Sequence, residues 1–370
     1  MLDLDVKGDM MRILLVGDFS SFHKYLKCGL IEFGHDVTLV SSGDGWKKIG
    51  GADIELYSPT AKNKIQKVID NFTKSYHVAT ICKDYDVVQF INPRIFHPLF
   101  NGFLVKKILR QNKFSSLVSC GNDLALNVAH ESGMLYNFMM DYDNSIGEYY
   151  SRKRFWGRLS RKTEKKIINQ YNVIIPTSYE YILGYQGRKN VTSVIPMPVD
   201  VDSIEYIPNK VEDRIVIFHG ITREKAKGTM FIRAALEKIK KEFGEEIEII
   251  VDGHMPFDKY VEIMKRANIV IDQCCSYGYG INADIALAQG KVVLSGARRE
   301  AIEALGVHDC PVFNIEPDEN QIYHVLKKII LNKEKIPELG EKGRKYIEDV
   351  HGCKKIAAEY LKIWKRFGAY

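Results

Sequence analysis

From Arg12 onward apolar residues gather in short β-branched runs, and between the runs they recur every three or four positions, as on one face of a helix. RILLVG at 12–17 precedes a helical pattern over 22–34, and HDVTLVSS at 35–42 precedes another near 62–83. DVVQFIN at 86–92, a helix over 97–111 and SSLVSC at 115–120 continue the series. VIIPTS at 173–178 and TSVIPMPV at 192–199 read as the last strands of this half, and Pro196, Pro198 and Pro208 punctuate the junction. The pattern then restarts: RIVIFHG at 214–220, a helix from about 227 to 243, EIEIIVDG, a helix near 259–267, NIVIDQ, a helix near 282–289, and KVVLSG. Strand then helix, repeated, predicts a parallel sheet covered on both faces.

The fold class is therefore α/β, with two doubly wound, Rossmann-like parallel-sheet domains facing across a cleft. They span 1–200 and 201–370 and are joined near 200–212. Such sheets bind ligands beyond the carboxyl ends of their strands, so the active site is expected between the domains. The last helix, 354–367, is free to pack on its own domain or to cross to the first.

Length and composition agree with this: 370 residues suit two domains, and 45% hydrophobic with 27% charged residues is an ordinary globular mixture. No apolar run reaches the about 18 to 20 residues of a membrane span. The first nine residues are acidic and polar, unlike an export signal, and Met10 and Met11 offer alternative starts. Seven scattered cysteines without a C-x-x-C pair point to a reducing cytoplasm.

Charge changes the picture in one place. Residues 1–200 hold 26 basic and 20 acidic residues, and the rest is neutral. The stretch 152–166 alone carries eight basic residues against Glu164 and is interleaved with Tyr149, Tyr150, Phe155, Trp156 and Leu159. That mixture suits an anionic membrane surface through 149–166, and equally a solvated helix face. Nucleic acid ranks last, because the second half is neutral and no nucleic-acid motif is present.

Several strand ends carry candidate chemistry. Gly17 closes the first strand, but the loop lacks G-x-G-x-x-G, which disfavours a dinucleotide site. HGITREKAKGT at 219–229 places Gly220, Arg223, Lys225, Lys227 and Gly228 at a helix start, where cations oppose the macrodipole unless an anion is held there. Gly253 ends the next strand. SYGYGINADIALAQGK at 276–291 offers Tyr277, Gly278, Tyr279, Gly280, Ile281, Asn282 and Asp284 at another strand-to-helix turn, where Asn282 and Asp284 also suit helix capping. On the first domain, Asn92, His97, Asn122 and Asp123 lie near strand ends, Asp123 as a base, a substrate-orienting carboxylate or a turn former. Asp141-x-Asp143 and Asp200-x-Asp202 have a metal-binding spacing but lack a strand-end context.

These residues, in order over nearly the whole chain, resemble the retaining GT-B glycosyltransferases known as glycosyl transferases group 1, or family 4. Arg223, Lys227 and Gly228 look like the basic pair and glycine that bind the donor diphosphate. Tyr277-Gly278-Tyr279-Gly280 and Ile285-Ala286-Leu287-Ala288-Gln289-Gly290 align with a motif whose two glutamates contact the donor sugar and the ribose. Both glutamate positions are changed here, to Tyr277 and Ile285, and Cys120 stands where many relatives carry a histidine.

The resemblance implies transfer of a sugar from a nucleotide diphosphate sugar to a glycan or lipid-linked acceptor with retention, without metal or further cofactor, in cell-surface polysaccharide or glycolipid synthesis. Arg223 and Lys227 would stabilise the leaving diphosphate, Asp123 would orient the acceptor, and Asn92, His97 and Asn122 would line its site. The location implied is the cytoplasm or the inner face of the membrane. The alternatives are a non-catalytic sugar-nucleotide or glycan-binding partner of another transferase, and a sugar-nucleotide epimerase on the same fold.

Overall fold

The computed structural model describes residues 9–43, 50–56, 63–136, 155–253, 255 and 257–370. The first half contains β1 (Arg12–Val16), α1 (Phe22–Glu32), β2 (Asp36–Ser41), β3 (Ile54–Glu55), α2 (Lys64–Ile81) and β4 (Val87–Phe90). It continues with α3 (Asn101–Arg110), β5 (Phe114–Ser119), α4 (Leu124–Glu131), α5 (Phe155–Ile168), β6 (Val173–Pro176) and α6 (Tyr179–Gly184). The second half holds β7 (Ile215–Ile221), α7 (Glu224–Lys227), α8 (Thr229–Phe243), β8 (Ile247–Gly253), α9 (Phe257–Arg266), β9 (Ile269–Ile271) and α10 (Ile281–Ala288). It ends with β10 (Val292–Ser295), α11 (Arg299–Ala304), β11 (Phe313–Asn314), α12 (Glu319–Leu331), α13 (Ile336–His351) and α14 (Cys353–Arg366).

The strands form two parallel sheets, ordered β3-β2-β1-β4-β5-β6 and β11-β10-β9-β7-β8. The first reverses direction between β1 and β4 and the second between β7 and β9, which opens a crevice at the carboxyl ends of each pair. β1, β4 and β5 have almost no exposed position, as strands covered on both faces must; β1 is apolar after its first residue, and the buried polar groups of the other two pair with each other, Ser116 Oγ donating to Gln89 Oε1 at 2.9 Å. In α1, Phe22, Leu26 and Leu30 recur at helical spacing and bury one stripe against the first sheet. The opposite face of that sheet carries Val78, Phe100, Leu104, Ile108 and Ile167 from α2, α3 and α5.

Helix α14 lies on the first domain. Ile356, Ala357, Tyr360, Leu361 and Trp364 share a core with Phe22, Leu26 and Leu30. A Cβ on Gly29 would come within 2.3 Å of the Cys353 carbonyl, so the close approach of α1 and α14 needs a glycine there. The crossing is pinned where Val199 N–H donates to His351 O at 2.8 Å and Cys353 N–H to Val199 O at 2.9 Å.

One expectation is corrected. Residues 192–199 form no strand of the sheet; Pro196 and Pro198 have no N–H to give a ladder, and only isolated bridges form, at Val199 and at the preceding Val191. The helix expected from about 227 to 243 runs from Thr229 to Phe243, and the short α7 precedes it across Gly228, whose φ of 71° is left-handed. The short edge strands β3 and β11 carry too little pattern to be read from sequence.

Candidate active site

The strand ends of the second sheet build the more complete half of the cleft. At the end of β7, His219 is buried with Nδ1 2.8 Å from Ile271 O and Nε2 2.9 Å from Thr229 Oγ1. A carbonyl only accepts, so Nδ1–H donates to it and Nε2 takes the Thr229 hydroxyl. Burial lowers the ring's pKa to about 4, which keeps it neutral and ties the start of α8 to β9.

Arg223 caps α7 and is exposed, as is Lys225. Lys227 is not presented beside them. It is 3% exposed, and its Nζ lies 2.7 Å from Asp272 Oδ1 at the end of β9. The turn that leaves Arg223 exposed folds Lys227 inward, so the charge of Lys227 is already paired. Gly228 allows that turn: besides its left-handed φ, a Cβ there would lie 2.3 Å from Cys274 Sγ. Helix α8 then opens at Gly228 without a side-chain cap on its first N–H groups. Gly220 and Gly253 end paired strands, and a Cβ on Gly253 would meet Ile221 O at 2.3 Å, so that glycine serves strand packing.

The turn at 276–280 is held from the other domain. Glu180, in the first turn of α6, is 4% exposed, and its Oε1 accepts from Ser276 Oγ at 2.9 Å, Tyr277 N at 2.8 Å and Gly278 N at 3.1 Å. Its Oε2 is buried without a hydrogen-bond partner among the described residues. Tyr277 points into the first domain: its hydroxyl accepts from Leu135 N at 3.0 Å, and its ring meets those of Tyr136 and Tyr179, both at 5.2 Å. Arg298 donates to the Tyr136 hydroxyl at 3.3 Å. An interdomain aromatic contact thus occupies the place where the resemblance puts a sugar-binding glutamate.

Gly280 begins α10 without a side-chain cap, Ile281 is half-buried and Asn282 is exposed. Asp284 faces inward, fully buried, with both oxygens lacking hydrogen-bond partners among the described residues and His351 Nε2 3.7 Å away. Burial, with the charge of Asp272 second, raises its pKa well above the carboxylate range. Tyr279 also turns inward, its hydroxyl 2.5 Å from that of Tyr346 and 3.1 Å from His351 Nε2.

On the first domain, Gly17 has φ 81°, and a Cβ there would meet Ile95 and Ile91 at 2.6 and 2.7 Å; its carbonyl is held by His23 Nδ1 at 2.5 Å. The loop it opens carries Ser20 and Ser21 at φ 52° and 68°, an arrangement non-glycine residues rarely adopt. Asp123 is the N-cap of α4 rather than a cleft carboxylate. It is fully buried, accepting from Leu126 N at 2.7 Å, Tyr185 Oη at 2.6 Å and Ser119 Oγ at 3.3 Å, and burial raises its pKa. Asn92 braces the same loop by donating to Cys120 O at 2.9 Å and Asn122 O at 3.3 Å. Asn122 is buried with Nδ2 lacking a hydrogen-bond partner among the described residues. His97 is half-buried against Phe100, and burial lowers its pKa. Asp141 and Asp143, with residues 149–154 of the basic segment, lie outside the described residues.

The structure sets the start of α8 against Cys274 and Cys275, just ahead of the 276–280 turn, and leaves Arg223 exposed at the start of α7. Sequence reasoning missed Glu180 and Asp272. Asp272 was findable as an acid ending a strand; Glu180 shows its role only through its distant partners.

No protein-family model and no curated protein sequence matches the chain. Solved structures do. Anabaena HepE, in complex with UDP and glucose, aligns over 96% of this chain and 99% of its own at TM-score 0.62 and 12% identity. WaaG, a glycosyltransferase involved in lipopolysaccharide biosynthesis, aligns over 95% and 99% at TM-score 0.60 and 14% identity. The UDP-GlcNAc 2-epimerase of Neisseria meningitidis, bound to UDP-GlcNAc, aligns over 96% and 100% at TM-score 0.56 and 12% identity. The chain has the GT-B fold. At these identities the likeness establishes the fold alone.

Proposed function

We propose that the chain is a glycosyltransferase that moves a sugar from a nucleotide diphosphate sugar to a glycan or lipid-linked acceptor with retention, in surface polysaccharide or glycolipid synthesis. The observation that carries this is the start of α8, which has no side-chain cap and lies against Cys274 and Cys275 just after β9, with Arg223 exposed at the start of the preceding α7 and the Gly-Tyr-Gly turn opening α10. That is an anion site built from a guanidinium and main-chain N–H groups, on a fold whose solved examples hold UDP or a UDP-sugar.

In this reading Arg223 donates two parallel N–H groups to two oxygens of the diphosphate. It and the N–H groups of α8 stabilise the charge that grows on the diphosphate as its bond to the anomeric carbon lengthens. This supplies the positive charge without a metal. Lys227, paired with Asp272, sets the electrostatic background and holds the turn that aims Arg223. The acceptor hydroxyl attacks from the face the diphosphate leaves, which helps take its proton, and the anomeric configuration is retained. Cleft closure through Glu180 and Tyr277 would exclude water.

The test is thermal-shift binding with UDP, GDP and their sugar derivatives, with and without Arg223→Ala, since a saturating ligand stabilises by RT ln(1 + [L]/Kd). One nucleotide is expected to raise the melting temperature in wild type and to lose at least about tenfold in affinity in the variant, roughly one charged phosphate contact. No shift with any nucleotide would overturn the reading.

A second reading, sugar-nucleotide binding without transfer as the partner of another transferase, is favoured by one observation. Tyr277 and Glu180 fill the turn with protein groups. Binding without turnover of the donor, by transfer or by hydrolysis, would select it.

A further inference from the structure

Helix α2 is apolar on two faces. Val78, Ala79 and Cys82 below its end pack on the first sheet, and Ile65, Ile69, Phe72 and Tyr76 succeed one another at helical spacing along the outside. Those four side chains, with Leu99 and Phe103 at the adjoining α3, are 40 to 72% exposed. They form one patch, because Tyr76 stacks on Phe103 at 6.2 Å and Phe72 meets Phe100 at 5.3 Å. A contiguous exposed patch of this size has no reason to persist on a chain that meets only water.

Its borders are basic. Lys107 lies over the Tyr76 ring at 5.3 Å and Arg110 is exposed at the end of α3. The neighbouring α5, which packs on α3, turns outward Arg158, Lys162, Lys165 and Lys166, with Phe155 64% and Leu159 43% exposed among them. The acids of this layer are engaged: Glu164 is buried and accepts from Leu124 N at 2.7 Å, Glu131 pairs with Arg161 at 2.9 Å, and Asp70 takes Gln66 Nε2 at 2.7 Å.

We propose that the outer face of α2, α3 and α5 docks on an anionic lipid bilayer, with the α2–α3 patch entering the headgroup boundary and the lysines and arginines meeting lipid phosphates. The charge chooses this occupant. A second copy related by a twofold axis would set like-charged borders against each other, whereas a phosphate-bearing apolar surface satisfies both halves of the face. Among the described residues no helix is long and apolar enough to cross a membrane, so this is attachment at the surface. The α2–α3 patch lies outside the 149–166 stretch that the sequence singled out, and the basic border on α5 is the described part of that stretch.

The experiment is co-sedimentation of the full chain with vesicles of phosphatidylcholine alone or mixed with phosphatidylglycerol. Wild type is compared with Ile69→Ser/Phe72→Ser/Phe103→Ser and with Lys107→Glu/Arg110→Glu/Lys162→Glu. Wild type should bind the anionic vesicles, and the serine variant should lose roughly a hundredfold in partition coefficient, from three side chains each partly buried. The charge-reversed variant should bind as wild type does in high salt, that is weakly. Because the altered groups are exposed, circular dichroism melts should stay near wild type. A Phe72→Trp variant gives a second readout, a blue shift of its added emission when anionic vesicles are mixed in. The proposal is overturned if the serine variant sediments with vesicles as wild type does, if the added indole emission of the Phe72→Trp variant does not move, or if wild type instead self-associates through this face. No nucleotide enters the assay, so its outcome is independent of the donor reading.

Discussion

The contact between Glu180 and the 276–278 turn gives the sharpest test of how the two domains are joined. Its Oε1 takes a hydroxyl and two main-chain N–H groups within 3.1 Å, almost without exposure. Replacing it by alanine leaves the Tyr277 and Gly278 N–H groups in the domain contact without an acceptor, while the Ser276 hydroxyl keeps Gly278 O at 2.7 Å. At about 1–3 kcal/mol per orphaned buried group, reduced where water enters the vacated volume, the cost should be about 3–4 kcal/mol. Glutamine keeps an acceptor and loses the charge, and should cost about 1 kcal/mol. The assay is native-state hydrogen exchange of the Tyr277 and Gly278 amides. Since each 1.4 kcal/mol is tenfold in the opening equilibrium, their protection should fall by roughly 10² to 10³ in Glu180→Ala and by less than about tenfold in Glu180→Gln. Unchanged protection in the alanine variant would refute the reasoning, because it would mean those amides are held by something other than the facing carboxylate.

The same geometry sets three further outcomes. Gly228→Ala adds a Cβ 2.3 Å from Cys274 Sγ at φ 71° and should destabilise by about 3 kcal/mol in urea melts; a cost under about 1 kcal/mol would contradict the close approach. Asp284→Asn removes a buried carboxylate whose pKa is raised by desolvation. Below the ordinary carboxylate range the wild type carries no ionisation penalty; as pH rises above it the unfolded chain ionises first and wild-type stability is lost. The variant's advantage should therefore grow from pH 4 to pH 7, and a pH-independent difference would sink the assignment. His23, His219 and His351, lowered to about 3, 4 and 4 by burial, should stay neutral in the folded protein at pH 5.5, read by their ring proton resonances. Their depressed values contribute stability that is full above about pH 6.5 and lost toward pH 4, the opposite slope to Asp284. A ring among them titrating near 6.5 would disprove its burial.

The sheets were legible because their signal is local. A run such as RILLV, apolar at every position after its first, has few ways to be satisfied except between two helical layers. Residues 192–199 carry a similar composition and failed, since two prolines remove N–H groups that a ladder needs. The Lys-Gly pair at 227–228 was legible as a turn, but not which way the lysine folds. That depended on Asp272, 45 residues later, presenting a carboxylate 2.7 Å away. Asp123 shows the same limit: a strand-end Asp reads alike whether it faces a ligand or caps a helix; here one oxygen caps Leu126 N and the other is taken by the hydroxyl of Tyr185, 62 residues on.

The two tyrosines of the 277–280 turn extend this argument to the divergence of the site. Where the resemblance expects a glutamate at 277, the tyrosine turns away from the crevice into the first domain, and its hydroxyl caps the main chain at Leu135. A carboxylate still reaches the turn, but it belongs to Glu180 and comes from the facing domain. That carboxylate's place in the facing domain ties the turn to closure: any opening of the cleft withdraws Glu180 from the N–H groups of Tyr277 and Gly278 and pulls Tyr277 from Tyr136 and Tyr179. The shape of the turn and the domain contact are then one structural variable in this chain, where a side chain carried by the turn itself would keep them separate.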